Sequence, residues 1–174
     1  MTTTLAPPAE TGSSVKTDRR AGKYLTFVLD REEFGIQVLK VREIMGIQDV
    51  TAVPQTPDCV KGVINLRGKV IPVIDLRLKF CMAEAEYTQR TCIVVVQVNS
   101  GTTSILMGVV VDEVSEVLNV TEAEIENTPD FGQGVSTSYI LGMAKIKDKV
   151  KILLDIDQVL NTQGLIEGLQ EVLQ

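Results

Sequence analysis

The chain contains no histidine and no tryptophan, and its only cysteines are Cys59, Cys81 and Cys92. Without histidine, neither a Ser-His-Asp nor a Cys-His catalytic arrangement can form. The cysteines are odd in number, far apart and without a CxxC pair, so a structural zinc site or a disulfide framework is not expected. The sequence therefore predicts no catalytic residues, no metal site and no cofactor.

Basic clusters and long apolar runs are also missing. The chain has 17 Lys and Arg against 23 Asp and Glu, which gives a net charge of −6. An acidic chain without a basic patch repels a phosphate backbone, so we expect no nucleic-acid partner. No apolar run approaches the roughly 20 residues of a spanning helix, and the N-terminus lacks a signal-peptide core. We therefore expect a cytoplasmic protein that does not insert into membranes.

Hydrophobic residues make up 44% of the chain, and most of them are valine, isoleucine and leucine. Aromatic residues make up only 4%. The clearest pattern lies at residues 62–80, GVINLRGKVIPVIDLRLKF. Two β-branched runs flank Arg67 and Gly68, which predicts a β-hairpin in which Gly68 adopts a positive φ. Asp75 follows the second run and is predicted to cap a short helix.

This pattern recurs 80 residues later, at residues 142–160, as GMAKIKDKVKILLDIDQVL. Lys147 aligns with Arg67, and Asp155 aligns with Asp75. A second pair of segments matches at a different offset, residues 34–45 with residues 107–118. We interpret the pairs as an internal duplication that produced two units of about 70 residues sharing an interface. Chance similarity between short β-rich segments is the alternative.

The remaining segments are assigned from their composition and periodicity. Residues 1–20 are predicted to be a disordered tail, and residues 163–174 to be a tail or a helix packed on the domain. Residues 40–47 fit either a helix or a strand. Further strands are predicted at 24–29, 34–39, 91–98 and 104–111, and the run 91–98 is expected to be buried on both faces. Thr121 and Glu124 form a predicted capping box.

The run KGVINLRGKVIPVIDLR, residues 61–77, resembles the signature of the CheW-like domain family, the coupling proteins of bacterial chemotaxis. Segments 27–44, 107–129 and 136–157 resemble the other family blocks in the family order. The resemblance implies a mainly β fold of two small five-stranded β-barrel subdomains, related by the internal pseudo-duplication, with a few short helices. The domain would span residues 21–162 and divide near residues 85–90.

The family resemblance also implies a function. Its members are non-enzymatic adaptors that hold the histidine kinase CheA, through its regulatory domain, at the cytoplasmic tips of methyl-accepting chemoreceptors. A cytoplasmic protein recruited to membrane-associated receptor arrays is therefore expected. The alternative is a β-barrel that binds a small ligand or an oligonucleotide, which the acidic charge and the lack of tryptophan disfavour.

By position, the family's receptor-binding residues correspond to Val41, Glu43, Ile44, Gly62 and Arg67. Val41 and Ile44 can offer an apolar groove to a receptor helix, while Glu43 and Arg67 set its orientation. The alternative is that Val41 and Ile44 belong to the core and that Glu43 and Arg67 pair with each other.

The implied kinase-binding residues are Cys92, Val114 and Phe131. The first two would lie on the surface that pairs with the kinase regulatory domain, and Phe131 would lie at a second contact that closes receptor-linked rings. All three positions are also compatible with core residues.

Overall fold

The computed structural model describes residues 19–134 and 136–161, in which eleven β-strands form two sheets. The strands are β1 (Gly22–Leu29), β2 (Glu32–Gln37), β3 (Val41–Gly46), β4 (Val60–Leu66), β5 (Lys69–Asp75), β6 (Cys92–Ser100), β7 (Thr103–Val111), β8 (Glu113–Val120), β9 (Ile125–Glu126), β10 (Ile140–Ile146) and β11 (Lys149–Leu154). Two short α-helices, Leu76–Lys79 and Ile156–Leu160, and two 3-10 turns, Val38–Lys40 and Glu122–Glu124, complete these ranges.

The strand order within each sheet shows the duplication. One sheet has the order β3-β6-β7-β5-β4, and the other has the order β8-β1-β2-β11-β10-β9. Replacing each strand of the first sheet by its repeat counterpart gives the first five strands of the second. Pairing is antiparallel except between β5 and β7 and between β11 and β2. The mainly β fold with an internal pseudo-duplication is therefore confirmed, and closure of each sheet into a barrel stays a prediction.

The division of the chain between the sheets differs from a simple split at residues 85–90. Residues 41–111 supply all five strands of one sheet, whereas residues 22–37 and 113–154 supply the other. A cut at 85–90 would separate β5 from β7, which are hydrogen-bonded neighbours. Each sheet thus combines strands from both repeats, and this is why the predicted boundary does not follow the sheets.

The main hydrophobic core lies between the two sheets and contains Phe27, Phe34, Val94 and Leu154. Smaller apolar clusters fill the other face of each sheet. On β6, alternate side chains enter different clusters: Val94 belongs to the main core and Val95 to the second cluster. The prediction that this strand is buried on both faces is confirmed.

The turns and caps agree closely with the sequence. Arg67 (φ 50°) and Gly68 (φ 90°) both lie in the left-handed region, as a two-residue hairpin turn requires. The Asp75 carboxylate accepts hydrogen bonds from the amides of Arg77 and Leu78, at 2.9 and 3.4 Å. The Asp155 carboxylate accepts one from the amide of Gln158, at 3.3 Å. Both predicted N-caps are confirmed.

Three other local predictions concern the segment 40–47, the capping box and the two ends of the chain. The segment that fitted helix or strand forms β3, preceded by the 3-10 turn, so the preceding strand ends at Gln37. The amide of Thr121 donates to Glu124 Oε1 at 2.9 Å, which confirms the capping-box bond on that side. The predictions for residues 1–18 and 163–174 lie outside the described residues.

Arg20 corrects the predicted limit of the N-terminal tail. Its Nη1 donates to the carbonyl of Leu141 at 3.0 Å and to Asn127 Oδ1 at 3.1 Å. The Tyr24 hydroxyl donates to the Arg20 carbonyl at 2.6 Å. The ordered domain therefore includes Arg20, because these bonds tie it to residues more than 100 positions away.

Two ion pairs fasten the sheets together where the chain crosses between them. Arg77 Nη2 lies 2.7 Å from Asp112 Oδ2, and the same carboxylate oxygen accepts from the Asp30 amide at 2.7 Å. Lys40 Nζ lies 2.7 Å from Asp157 Oδ2. Asp112 lies between β7 and β8, and Lys40 lies between β2 and β3. At both places the chain passes from one sheet to the other, so each ion pair stabilises one of these connections.

Candidate functional site

Glu43 and Arg67 meet although they come from opposite edges of the five-stranded sheet. Glu43 is on β3 and Arg67 is in the β4–β5 turn, so their contact joins the two outermost strands. The guanidinium makes two hydrogen bonds to the carboxylate: one between Nη2 and Oε1, and one of 3.4 Å between Nη1 and Oε2. The hydrogen bond from Arg67 lowers the pKa of the Glu43 carboxyl. Glu43 and Arg67 thus pair with each other, as the alternative interpretation expected, and their receptor role stays a prediction.

The two predicted apolar contact residues have different environments. Val41 is half-buried and packs against the main core. Ile44 is exposed to 44%, although it follows Glu43 directly on β3. Ile44 can thus present its side chain to a partner, whereas Val41 contributes mainly to packing.

Gly62 is a buried residue of β4 at which the fold requires glycine. Its φ of 141° lies in the region that favours glycine, and a Cβ would stand 2.0 Å from the carbonyl oxygen of Thr51. The amide and carbonyl of Thr51 pair with those of Val63, at 2.9 and 2.8 Å. Gly62 therefore permits the chain before β4 to lie against this strand.

Cys92 and Val114 lie near the junction of the two sheets. Both side chains are half-buried and pack against the main core. An ion pair of 3.6 Å joins their neighbours Arg90 and Glu113, whose side chains are largely exposed. The predicted kinase-facing positions are thus close to each other, but their side chains are shared between the core and the surface.

Phe131 lies apart from this pair, in the loop between β9 and β10. Its ring is exposed to 57%. The amide of Gly132 donates to Asp130 Oδ1 at 2.9 Å, and Gly132 has a φ of 99°. The turn after Phe131 is therefore shaped by Asp130 and Gly132, and it leaves the aromatic ring in solvent.

A cavity of about 1080 Å³ opens beside the Glu43–Arg67 pair. Its apolar lining includes Leu66, Val70 and Leu106, and Val70 is exposed to 58%. The predicted residues Val41, Ile44 and Gly62 do not line it. An opening of this size and lining suits the side chains of a partner protein that also contacts the ion pair.

Sequence reasoning missed the polar residues of this cavity other than the ion pair, namely Arg42, Lys69, Gln97, Thr103 and Ser104. Arg42 precedes Glu43 and Lys69 lies two positions after Arg67, so the sequence places a charge close to each of these predicted residues. Gln97 is 55 positions from Arg42, and only the pairing of β3 with β6 brings the two together. One sequence gives no signal for that contact.

These surfaces have the chemistry of a protein-interaction module. An exposed ion pair, an exposed Ile44 and an adjoining apolar cavity offer orientation and buried area to another protein. In the part of the chain that the structure describes, no group of three metal-ligating side chains occurs. None of its helices is both long enough and apolar enough to cross a membrane.

Comparison with known proteins agrees with this class. Residues 23–164 match the CheW-like domain family. The chain is 40% identical to the chemotaxis protein CheW of Klebsiella aerogenes over 82% of this chain and 84% of that protein. It is 34% identical to the chemotaxis protein CheW of Bacillus subtilis over 82% and 88% of the two chains.

A solved structure extends the likeness to the fold. The scaffolding protein TtCheW of Thermoanaerobacter tengcongensis matches with a TM-score of 0.73 and 31% identity, over 83% of this chain and 95% of that one. The chain belongs to the CheW-like family and is a chemotaxis scaffold protein of that family.

Proposed function

We propose that this protein is a non-enzymatic adaptor that couples the cytoplasmic tips of methyl-accepting chemoreceptors to the histidine kinase CheA. It would act in the cytoplasm at membrane-associated receptor arrays, without inserting into the membrane. Family membership supports the adaptor role, and the exposed Glu43–Arg67 pair carries the receptor assignment.

The receptor-binding surface consists of Glu43, Ile44 and Arg67, and the less exposed Val41 and Gly62 belong to the strands β3 and β4 that carry it. The partner in this proposal is the receptor tip, taken as a hairpin of two helices. Ile44 provides apolar contact to one helix, and the ion pair provides charged groups that fix the helix direction. The ion pair already orients Arg67, so less side-chain freedom is lost on binding.

The kinase-binding surface lies around Cys92 and Val114, with Phe131 at a second contact. The Arg90–Glu113 pair sits at the rim of the first surface, while the half-buried Cys92 and Val114 connect it to the core. Phe131 presents an exposed aromatic ring, the type of side chain enriched at the centre of protein interfaces.

Replacement of Arg67 tests the receptor assignment. Arg67→Ala should weaken co-sedimentation with receptor-bearing membranes by about tenfold or more, because a charge-assisted hydrogen bond is lost. Its binary binding to CheA should stay unchanged. The melting temperature should fall by less than about 2 °C, since exposed ion pairs contribute little to stability.

Lys147→Ala is the matched control, because Lys147 occupies the equivalent turn position with a φ of 52°. This variant should bind receptors like the parent. Equal receptor binding by the parent and Arg67→Ala would remove the receptor assignment.

A further inference from the structure

Charge is distributed unevenly in the cavity beside Glu43 and Arg67. Three cations, Arg42, Arg67 and Lys69, line it together with one carboxylate, that of Glu43. Arg67 already binds this carboxylate, so the lining carries two more positive charges than negative ones. The excess contrasts with the net charge of −6 of the whole chain.

Among the described residues, the hydrogen-bond partners of the Arg42 guanidinium are all neutral. Its Nε donates to Gln97 Oε1 at 2.8 Å, and its Nη1 donates to the carbonyl of Leu39 at 3.0 Å. Gln97 Nε2 in turn donates to Ser104 Oγ at 2.5 Å, which orients the amide oxygen towards Arg42. Arg42 is therefore held in place by a chain of bonds across β3, β6 and β7, while its charge is left unbalanced.

Lys69 contributes the other uncompensated positive charge of the cavity lining. It is exposed and directly precedes Val70. Among residues 19–134 and 136–161, no carboxylate lies within ion-pair distance of its amine. A partner that places an anion here gains attraction without first breaking an internal ion pair.

We infer that this cavity binds an acidic, amphipathic helix of the receptor tip, with Arg42 and Lys69 as specificity-determining contacts. Apolar side chains of the helix cover Val70 and Leu106, and a flanking Asp or Glu meets Arg42 or Lys69. The inference rests on the proposed function, since it places the receptor in the cavity adjoining Arg67. It adds the sign of the partner's charge, which neither the Glu43–Arg67 pair nor family membership specifies.

Charge reversal of the two cations tests the inference. Arg42→Glu and Lys69→Glu should each weaken co-sedimentation with receptor-bearing membranes of the same organism by about tenfold, and should flatten its salt dependence. Lys149→Glu is the matched control, because Lys149 is the repeat counterpart of Lys69 and is exposed on the other sheet. It should leave binding unchanged.

A second measurement identifies the anion. Each acidic residue of the receptor tip is replaced by lysine in turn, and one such variant should restore binding to Arg42→Glu or Lys69→Glu. Circular dichroism verifies folding, and the neutral variants Arg42→Gln and Lys69→Gln replace any variant that unfolds. They should weaken binding less than charge reversal does.

The outcomes separate the inference from the proposed function. If Arg67→Ala loses receptor binding while both charge-reversed variants bind like the parent, the cavity inference is wrong and the adaptor function stands. If Lys149→Glu weakens binding as much as Lys69→Glu does, the effect is one of net charge, and the inference also fails. If Arg67→Ala itself binds normally, the proposed receptor site fails first.

Discussion

Gly62 shows how a single missing side chain governs the packing before the central hairpin. The absent Cβ leaves room for the carbonyl of Thr51, which bonds to the amide of Val63. The sequence predicted this glycine as a receptor-binding residue by resemblance. Its buried position gives it a structural role that can alter receptor binding indirectly, and its membership of the binding surface stays a prediction.

Gly62→Ala should lower the free energy of unfolding by about 3 kcal/mol, because the added methyl group overlaps a backbone oxygen and the residue keeps a positive φ. Chemical denaturation measures this. Gly46→Ala is the control, since a Cβ there has no neighbour within 4 Å, and it should change stability by less than about 0.5 kcal/mol. A Gly62→Ala variant as stable as the parent would contradict the close approach.

At the scale of single elements, the two short helices begin at equivalent aspartates that differ in their surroundings. Asp75 is buried, and its carboxylate also accepts a hydrogen bond from the Tyr87 hydroxyl at 3.0 Å. Asp155 is half-buried and holds one amide of its helix, that of Gln158. Burial and the nearby Asp75 raise the pKa of Tyr87, which therefore stays protonated and able to donate.

Asp75→Ala should cost about 2–3 kcal/mol of unfolding free energy, whereas Asp155→Ala should cost about 1 kcal/mol. The difference arises because the first change leaves the Tyr87 hydroxyl and two amides without their acceptor at a buried position. Urea denaturation of both variants measures it. Tyr87→Phe should account for about 1 kcal/mol of the larger loss, and equal costs for the two aspartates would show that the Tyr87 bond does not matter.

The sequence identified the short elements well because their signals are local. The Arg67–Gly68 turn and the caps depend on residues within four positions of one another. The role of Tyr87 was not predictable in this way. It lies 12 positions after Asp75, in a connector without periodicity, so only the folded chain shows that its hydroxyl reaches the cap.

At the scale of the whole molecule, the Arg77–Asp112 pair ties the helix after β5 to the crossing between the sheets. Burial raises the pKa of the Asp112 carboxyl, but the hydrogen bonds from Arg77 and the Asp30 amide outweigh this, and the pKa is lowered overall. A carboxyl with a lowered pKa stabilises the folded state above its unfolded pKa of about 3.9. The contribution disappears as the pH falls through the folded pKa.

Asp112→Asn should therefore lower the free energy of unfolding at pH 7 by about 1 kcal/mol, a value that allows for partial solvent screening. The difference from the parent should shrink as the pH falls below about 4. Denaturation curves from pH 2 to pH 7 measure both effects. Asp30→Asn, which removes only a longer contact of 3.6 Å to Arg77, should behave like the parent throughout.

The interleaving of the repeats could not be predicted from one sequence. The duplication indicates which segments are alike, and Arg67 and Lys147 correctly mark equivalent turns. It does not indicate whether β5 pairs with a strand of its own repeat or with β7 of the other. The same limit applies to the cavity, because the contact between Arg42 and Gln97 depends on the pairing of β3 with β6, which joins the two repeats in the same way.

The strands of the five-stranded sheet lie, in sequence, between two groups of strands of the other sheet. This order has a consequence during protein synthesis. The β1–β2 hairpin leaves the ribosome first, but its parallel neighbour β11 follows more than 100 residues later. At about 5–20 residues per second, the hairpin waits for roughly 5–20 s, while the sheet of residues 41–111 can already assemble. During that interval the rings of Phe27 and Phe34 lack the part of the main core that Leu154 and the last helix supply. Exchange of this hairpin between two nascent chains would produce a swapped dimer in which every strand keeps its neighbours.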